Sequence, residues 1–163
     1  LASLMHDTAL SGKAVLGVCL GSQVFARGAG AENHIGTTPE FGWCEVELTE
    51  AGRADPVLSH LPARFGIFEW HSDTFTLPPD ATHLATNAAA AVQAYRIGRA
   101  GYATQFHFEA SRAVVADWNA SFGAGLEASN PGWLASYPKL AVEKGPASDA
   151  NGLAIARAWV ALI

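Results

Sequence analysis

The stretch Ala14–Gln23, AVLGVCLGSQ, sets a cysteine between two glycines directly after a short apolar run. The run Ala14–Val18 shows no polar alternation, which is typical of a strand covered on both faces of a sheet. After Gly21 the segment SQVFARGAGA has helical composition and closes on glycines. The order strand, tight turn, helix predicts an α/β fold with Cys19 at the turn.

The segment GVCLG has the form G-x-C-x-G, the cysteine version of the nucleophile elbow. Gly17 and Gly21 are expected because side chains beside such a turn collide with neighbouring backbone. A thiol near a helix N-terminus is favoured as thiolate, and the Leu20 amide can point at a developing oxyanion. The alternative interpretation is a buried structural cysteine in a glycine-rich strand end.

Two histidine–acid pairs compete to supply a base for Cys19. WHSD contains His71 and Asp73, and FHFE contains His107 and Glu109. The i, i+2 spacing puts both members of either pair on one face of an extended strand, so spacing cannot choose between them. GYATQFH is a strand-like run that ends where a helix begins, the usual edge for active sites in α/β sheets. We therefore favour His107 as the base and leave His71 as a substrate contact or a structural histidine.

The rest of the chain predicts an α/β sheet layered by helices, in a single domain spanning residues 1–163. Between residues 34 and 80, proline and glycine separate loops from short strands. Three closely spaced strand candidates follow: THLATN, AVQAYRIG and GYATQFHFE. The predicted strands and helices are the strands Glu45–Leu48 and Gly66–Trp70 and the helices 2–10, Ser111–Phe122 and Leu153–Ile163.

Composition excludes several function classes. The net charge of −5 is scattered, so no basic patch for nucleic acid or anionic membranes is present. No apolar run approaches the roughly 20 residues of a membrane span, and no signal-peptide pattern opens the chain. Cys19 and Cys44 are too few for a disulfide framework or zinc site, and Cys44 is expected to be a small buried hydrophobe. The six histidines lack H-E-x-x-H spacing. We expect small-molecule or protein partners, no metal, and a cytoplasmic location.

The segments VLGVCLGSQ and TQFHFE together resemble the class I glutamine amidotransferase family, in that order and at a separation that suits it. FGWCEVELTEAGRADPVLSHLP and FEWHSDTFTLPP resemble its stand-alone members related to the amidotransferase domain of GMP synthase. The resemblance implies a three-layer, flavodoxin-like fold. It also implies Cys19 as nucleophile, His107 as base, Glu109 as its orienting partner and Leu20 as an oxyanion donor. The residues that it implies for glutamine binding are Gly21, Gln23, His71, Ser72 and Asp73.

The implied reaction hydrolyses the glutamine side-chain amide through a γ-glutamyl thioester, with no cofactor. Ammonia would pass to a synthetase partner, since the chain has no G-x-x-x-x-G-K-[ST] loop. The alternatives are a γ-glutamyl peptidase or hydrolase, a silent homologue that binds a metabolite or protein, and a cysteine-based redox protein. The chain begins at Leu1 within a helix-like segment, so we expect the first strands and a second oxyanion loop to precede it.

Overall fold

The computed structural model describes all 163 residues. The chain forms six helices and eight strands, and the last three helices follow the last strand. The strands are β1 (Val15–Val18), β2 (Asn33–His34), β3 (Glu40–Leu48), β4 (Arg64–His71), β5 (Thr74–Phe75), β6 (Thr82–Thr86), β7 (Ala94–Ile97) and β8 (Gly101–Thr104). The helices are α1 (Ala2–Leu10), α2 (Leu20–Gly28), α3 (Glu50–Arg53), α4 (Arg112–Ser129), α5 (Trp133–Glu143) and α6 (Gly145–Val160).

The main sheet has six strands in the order β1-β8-β7-β6-β3-β4. β1 and β8 run parallel, and every other neighbouring pair runs antiparallel. β2 and β5 form a separate two-stranded antiparallel sheet. The expected α/β sheet is therefore confirmed as a mixed sheet, whose one parallel pair joins the two strands that precede the cysteine and histidine motifs.

Helices cover both faces of the sheet, which gives the three predicted layers. α1 and α2 pack on one face, and α6, with α4 and α5 beside it, packs on the other. Successive side chains of β8 point to opposite faces of the sheet and reach both helix layers. Tyr102 lies in the core cluster that includes Ile155 of α6, and Ala103 lies in the cluster that includes Phe25 of α2. No helix has both the length and the apolar character needed to cross a bilayer.

The predicted elements near the site are confirmed, and those in the middle are longer than expected. β3 begins five residues before the predicted Glu45–Leu48, and β4 extends past both ends of the predicted Gly66–Trp70, because the two strands pair along their whole length from Glu40 opposite His71 to Glu47 opposite Arg64. The sequence pattern does not predict α5, because Pro138 lies inside it and interrupts the helical pattern. α4 starts as expected, with the Ser111 hydroxyl accepting from the Val114 amide at 3.4 Å.

Candidate active site

Cys19 occupies the strained turn between β1 and α2. Its backbone has φ 51° and ψ −109°, and it is the one non-glycine residue with positive φ. Such a conformation costs about 1–3 kcal/mol and persists where surrounding structure enforces it. The Cys19 amide donates to the Thr104 carbonyl at 2.8 Å, which extends the β1–β8 pairing up to the nucleophile position. The predicted elbow geometry is therefore confirmed.

The two glycines of the motif differ in whether a side chain would fit at their position. A Cβ on Gly17 would lie 2.6 Å from the Gly21 carbonyl oxygen, so only glycine lets the strand approach the first helical turn. A Cβ on Gly21 would meet nothing within 4 Å. The expected steric requirement is right for Gly17 and wrong for Gly21, because the close approach involves the Gly21 backbone and leaves its side-chain direction open.

His107 lies beside the cysteine and is held from three sides. Its Nδ1 lies 2.6 Å from Glu109 Oε1, and its backbone amide donates to the Phe68 carbonyl at 2.8 Å. Its imidazole is close enough to Cys19 for that side chain to contribute to the imidazole pKa. The Trp118 ring packs edge-on against the imidazole with centroids 5.6 Å apart. Because Nδ1–H donates to the carboxylate, the tautomer leaves Nε2 as the nitrogen that can exchange a proton with sulfur.

The pair His107 and Glu109 meets through a turn rather than along a strand. β8 ends at Thr104, and His107 forms only an isolated bridge with Phe68 before the chain turns. The Ala110 amide donates to the His107 carbonyl at 3.2 Å, which closes this turn. The predicted juxtaposition is present, but the i, i+2 strand geometry that suggested it is wrong.

The surroundings of His107 favour its charged form. Burial lowers the pKa of the imidazole, but hydrogen bonds to Cys19 and Glu109 and their negative charge outweigh burial and raise that pKa from 6.5 to about 10. This direction of shift favours the imidazolium form of His107. His107 lies against the one group that can become a sulfur anion, so the pair is arranged for proton transfer.

A cavity of about 240 Å³ opens beside the cysteine. Its walls come from the elbow on one side and from the end of β4 on the other. The lining residues are Cys19, Leu20, Gln23, His71, Ser72 and Asp73. All six are among the residues predicted for the nucleophile, the oxyanion and the substrate pocket, and Gly21 is the predicted pocket residue that does not line this cavity. Leu20 is the first residue of α2, so its amide belongs to the helix end that lacks intrahelical acceptors.

His71 lines the cavity, but its imidazole is engaged elsewhere. Nδ1 lies 2.9 Å from the Asp73 backbone oxygen, and Nε2 lies 3.1 Å from Glu40 and 3.3 Å from Glu69. The alternative pair of His71 with the Asp73 carboxylate is not formed, and that carboxylate accepts from the Gly36 amide at 2.8 Å.

Glu40, Glu69 and His71 form a buried charged cluster that sequence reasoning missed. Their potential metal-ligating atoms all lie within 4.8 Å of one another. Burial raises the pKa of Glu69 to about 7. Burial alone would lower the pKa of His71, but the hydrogen bond to Glu40 and the adjacent carboxylates outweigh burial and raise that pKa to about 9. Asn87 and Gln93 each donate to Glu40 at 2.6 Å. A His71 imidazolium between the two carboxylates therefore offsets one of their two negative charges.

Cys44 does not share the properties of Cys19. Burial raises the pKa of its thiol to about 11, and the charges of Glu69 and Glu40 act in the same direction. The thiol lies on β3 with its sulfur 3.9 Å from the Phe41 carbonyl oxygen. Cys44 is therefore a poor nucleophile, as its position on a strand suggested.

Comparisons with known proteins give matches in both sequence and structure. The family model described as "Glutamine amidotransferase class-I" matches residues 2–115. The glutamine amidotransferase-like protein YfeJ of Salmonella typhimurium is 31% identical over 106 residues, which are 65% of this chain and 44% of that protein. A subunit of a glutamine-hydrolyzing GMP synthase from Thermoplasma acidophilum is 36% identical over 97 residues, covering 58% of this chain and 47% of the relative.

The fold also matches a solved structure. A glutamine amidotransferase from Thermotoga maritima superposes with a TM-score of 0.79 at 27% identity, covering 96% of this chain and 66% of the other. The chain thus spans less than half the length of the two curated relatives, although nearly all of it has a counterpart in the solved structure.

Proposed function

The chain belongs to the class I glutamine amidotransferase family, and on that premise we propose that it hydrolyses the side-chain amide of glutamine through Cys19, His107 and Glu109. The observation that carries the proposal is the strained Cys19 turn against an imidazole held 2.6 Å from a carboxylate, beside an open cavity. This arrangement has a nucleophile, a base and an orienting group in hydrogen-bonding order.

The first half of the proposed reaction forms a thioester. His107 holds the proton of Cys19, and the thiolate attacks the side-chain amide carbon of glutamine. The negative charge that develops on the amide oxygen is stabilised by the Leu20 amide at the start of α2. The imidazolium gives its proton to the departing nitrogen, ammonia leaves, and a γ-glutamyl thioester on Cys19 remains.

The second half regenerates the enzyme. His107, now neutral, takes a proton from a water molecule as that water attacks the thioester carbonyl. The carbon–sulfur bond breaks, glutamate leaves, and the cysteine returns as a thiolate facing the imidazolium. Glu109 accepts from the Nδ1–H group and holds the ring in the orientation that both steps require. One glutamine and one water thus become one glutamate and one ammonia.

We assign the rest of the cavity to the amino-acid end of the substrate. Gln23, Ser72 and Asp73 line it with polar groups, and the Asp73 carboxylate supplies a negative charge for an α-ammonium group. Gly21, which has open space at its Cβ position, lets a substrate chain pass close to the first turn of α2. His71 acts through the backbone of this wall, because its ring nitrogens are committed to Asp73 and the two glutamates.

The ammonia acceptor is proposed from the relatives. One of them is named as a subunit of a glutamine-hydrolyzing GMP synthase, so we propose that this chain supplies ammonia to a synthetase partner. Addition of a synthetase subunit that uses the ammonia should raise the rate of glutamine hydrolysis. A rate that is insensitive to any such subunit, together with faster hydrolysis of bulky γ-glutamyl amides, would favour the γ-glutamyl hydrolase alternative.

The decisive experiment uses a diazo-ketone analogue of glutamine, with intact mass measurement and peptide mapping. We expect one adduct on Cys19, which is lost in His107→Ala and in the presence of excess glutamine. Cys44→Ser and His60→Ala are matched controls that should keep the adduct, because His60 is exposed and Cys44 lies on β3. No adduct on a Cys19 that still reacts with a small alkylating agent would refute the glutamine site and favour a silent or redox role.

A further inference from the structure

We propose that Gln105 is a further catalytic residue, whose side-chain amide donates a hydrogen bond to the Cys19 sulfur and stabilises the thiolate in an orientation fixed by Gln23. The inference rests on the proposed role of Cys19 as nucleophile. Gln105 belongs to the TQFHFE motif, whose sequence pattern assigns roles only to the histidine and the glutamate.

The contacts of Gln105 join it to both the cysteine and α2. Its Nε2 lies 3.7 Å from Cys19 Sγ, and its Oε1 accepts from Gln23 Nε2 at 3.2 Å. Gln105 is fully buried and Gln23 is 4% exposed. The Gln105 backbone amide donates to the Gln93 carbonyl at 2.8 Å, which holds the residue just beyond the end of β8. The Gln105 amide is therefore shut off from bulk water.

The bond to Gln23 determines which end of the Gln105 amide faces the sulfur. A side-chain amide is planar, with its acceptor oxygen and its NH₂ donor on opposite sides of the bond that joins the amide carbon to the rest of the side chain. Because Gln23 donates to the oxygen, the NH₂ group is directed at Cys19. The reversed amide would bring an oxygen against a sulfur anion, and Gln23 would then face a second donor. Gln23 is therefore a positioning residue for Gln105.

A fixed donor is useful because the other neighbours of the sulfur cannot stabilise its negative charge at every step of the reaction. The Trp70 carbonyl oxygen lies 3.7 Å from Cys19 Sγ, where it accepts from a thiol but repels a thiolate. The imidazole of His107 loses its positive charge when it protonates the departing nitrogen. The Gln105 amide keeps its N–H groups through the whole cycle, so it can stabilise sulfur both as attacking anion and as leaving group.

The effect of Gln105 can be separated from the ionised groups around the site. Those groups are His107 and Glu109 beyond β8, Glu69 and His71 on β4, and Asp73 after β4. A Gln105→Met substitution changes none of their charges and keeps a side chain of similar length. A change in the pH dependence of Cys19 reactivity in this variant therefore reports the lost amide donor.

The test measures the rate of alkylation of Cys19 by iodoacetamide against pH, in a Cys44→Ser background so that one thiol reports. A hydrogen bond to a charged group stabilises that group, so loss of the bond in Gln105→Met should move the pH of half-maximal alkylation upward by roughly one unit. Below that pH, alkylation should be about tenfold slower than with residue 105 unsubstituted. Gln23→Met should cause a smaller shift in the same direction. Gln105→Glu, equal in shape but lacking the donor, should shift the profile at least as far as Gln105→Met.

Gln23→Met/Gln105→Met keeps the proposal testable if Gln105→Met folds poorly. It replaces both partners with apolar side chains, so no buried amide of this pair is left without its partner. We expect its profile to match that of Gln105→Met. A wild-type profile in the double variant would overturn the proposal, because any shift in the single variant would then come from the unpaired Gln23. Alkylation needs no glutamine, so a shifted profile without glutaminase activity would refute the proposed function and leave the role of Gln105 intact.

Discussion

Glu109 should set the alkaline limit of activity through its charge on His107. The carboxylate lies 2.6 Å from Nδ1, and it contributes to the imidazole pKa of about 10. A charge-assisted hydrogen bond contributes about 1.5–3 kcal/mol, and the 46% exposure of the Glu109 side chain puts this one at the low end. Glu109→Gln keeps an acceptor for Nδ1–H but removes the charge. About 1.4 kcal/mol corresponds to one pH unit or a factor of ten.

We therefore expect the alkaline limb of the kcat/KM profile for glutamine hydrolysis to move down by roughly one pH unit in Glu109→Gln, with about a tenfold lower plateau. The sign follows from the charge, because a neutral partner stabilises the imidazolium less and lets its proton leave at lower pH. Glu143→Gln is the matched control, an exposed carboxylate that pairs only with Lys139 at 3.8 Å. A profile in Glu109→Gln that coincides with that of the control would refute the reasoning.

Three further outcomes are expected. Gly17→Ala should lower the free energy of unfolding by about 1–3 kcal/mol in a denaturant titration, whereas Gly21→Ala, with open space at its Cβ, should stay much closer to wild type. Burial raises the folded-state pKa of Glu69 to about 7, so the free energy of unfolding should fall as the pH rises from the unfolded pKa of about 4.5 through about 7. Glu69→Gln should flatten that part of the stability profile, and an unchanged slope would contradict this. At pH 8, a limited amount of iodoacetamide should modify Cys19 well before Cys44, because burial raises the pKa of the Cys44 thiol to about 11. Peptide mapping that finds Cys44 labelled first would contradict this.

The sequence was most informative where a local rule determines geometry. The apolar run before Cys19 and the glycine at position 17 predict a strand that turns sharply into a helix, and the structure has that turn. His107 is favoured over His71 because it follows a predicted strand. In the structure that strand, β8, ends at Thr104, and His107 lies three residues beyond it. Local patterns work here because the turn is dictated by backbone sterics within a few residues.

The sequence pattern does not predict which strands pair over long distances along the chain. Glu40 and His71 are directly opposite in the antiparallel β3–β4 pair, and Glu69 lies two residues before His71 on the same face. Nothing in the spacing of 31 residues between Glu40 and His71 predicts that register. The contact of Gln105 with Cys19 is equally invisible, since both residues are placed by the parallel β1–β8 pair.

The curl of the sheet explains why the site depends on its most distant strand. β1 and β4 are at opposite ends of the strand order, yet the Trp70 carbonyl of β4 reaches the Cys19 sulfur just after β1. The chain beyond β8 spans this gap, because His107 donates its amide to Phe68 of β4. The charged cluster of Glu40 on β3 with Glu69 and His71 on β4 therefore supports the wall that faces the nucleophile. Substitutions of Glu69 that shift β4 should alter Cys19 alkylation as well as stability, although Glu69 does not line the cavity.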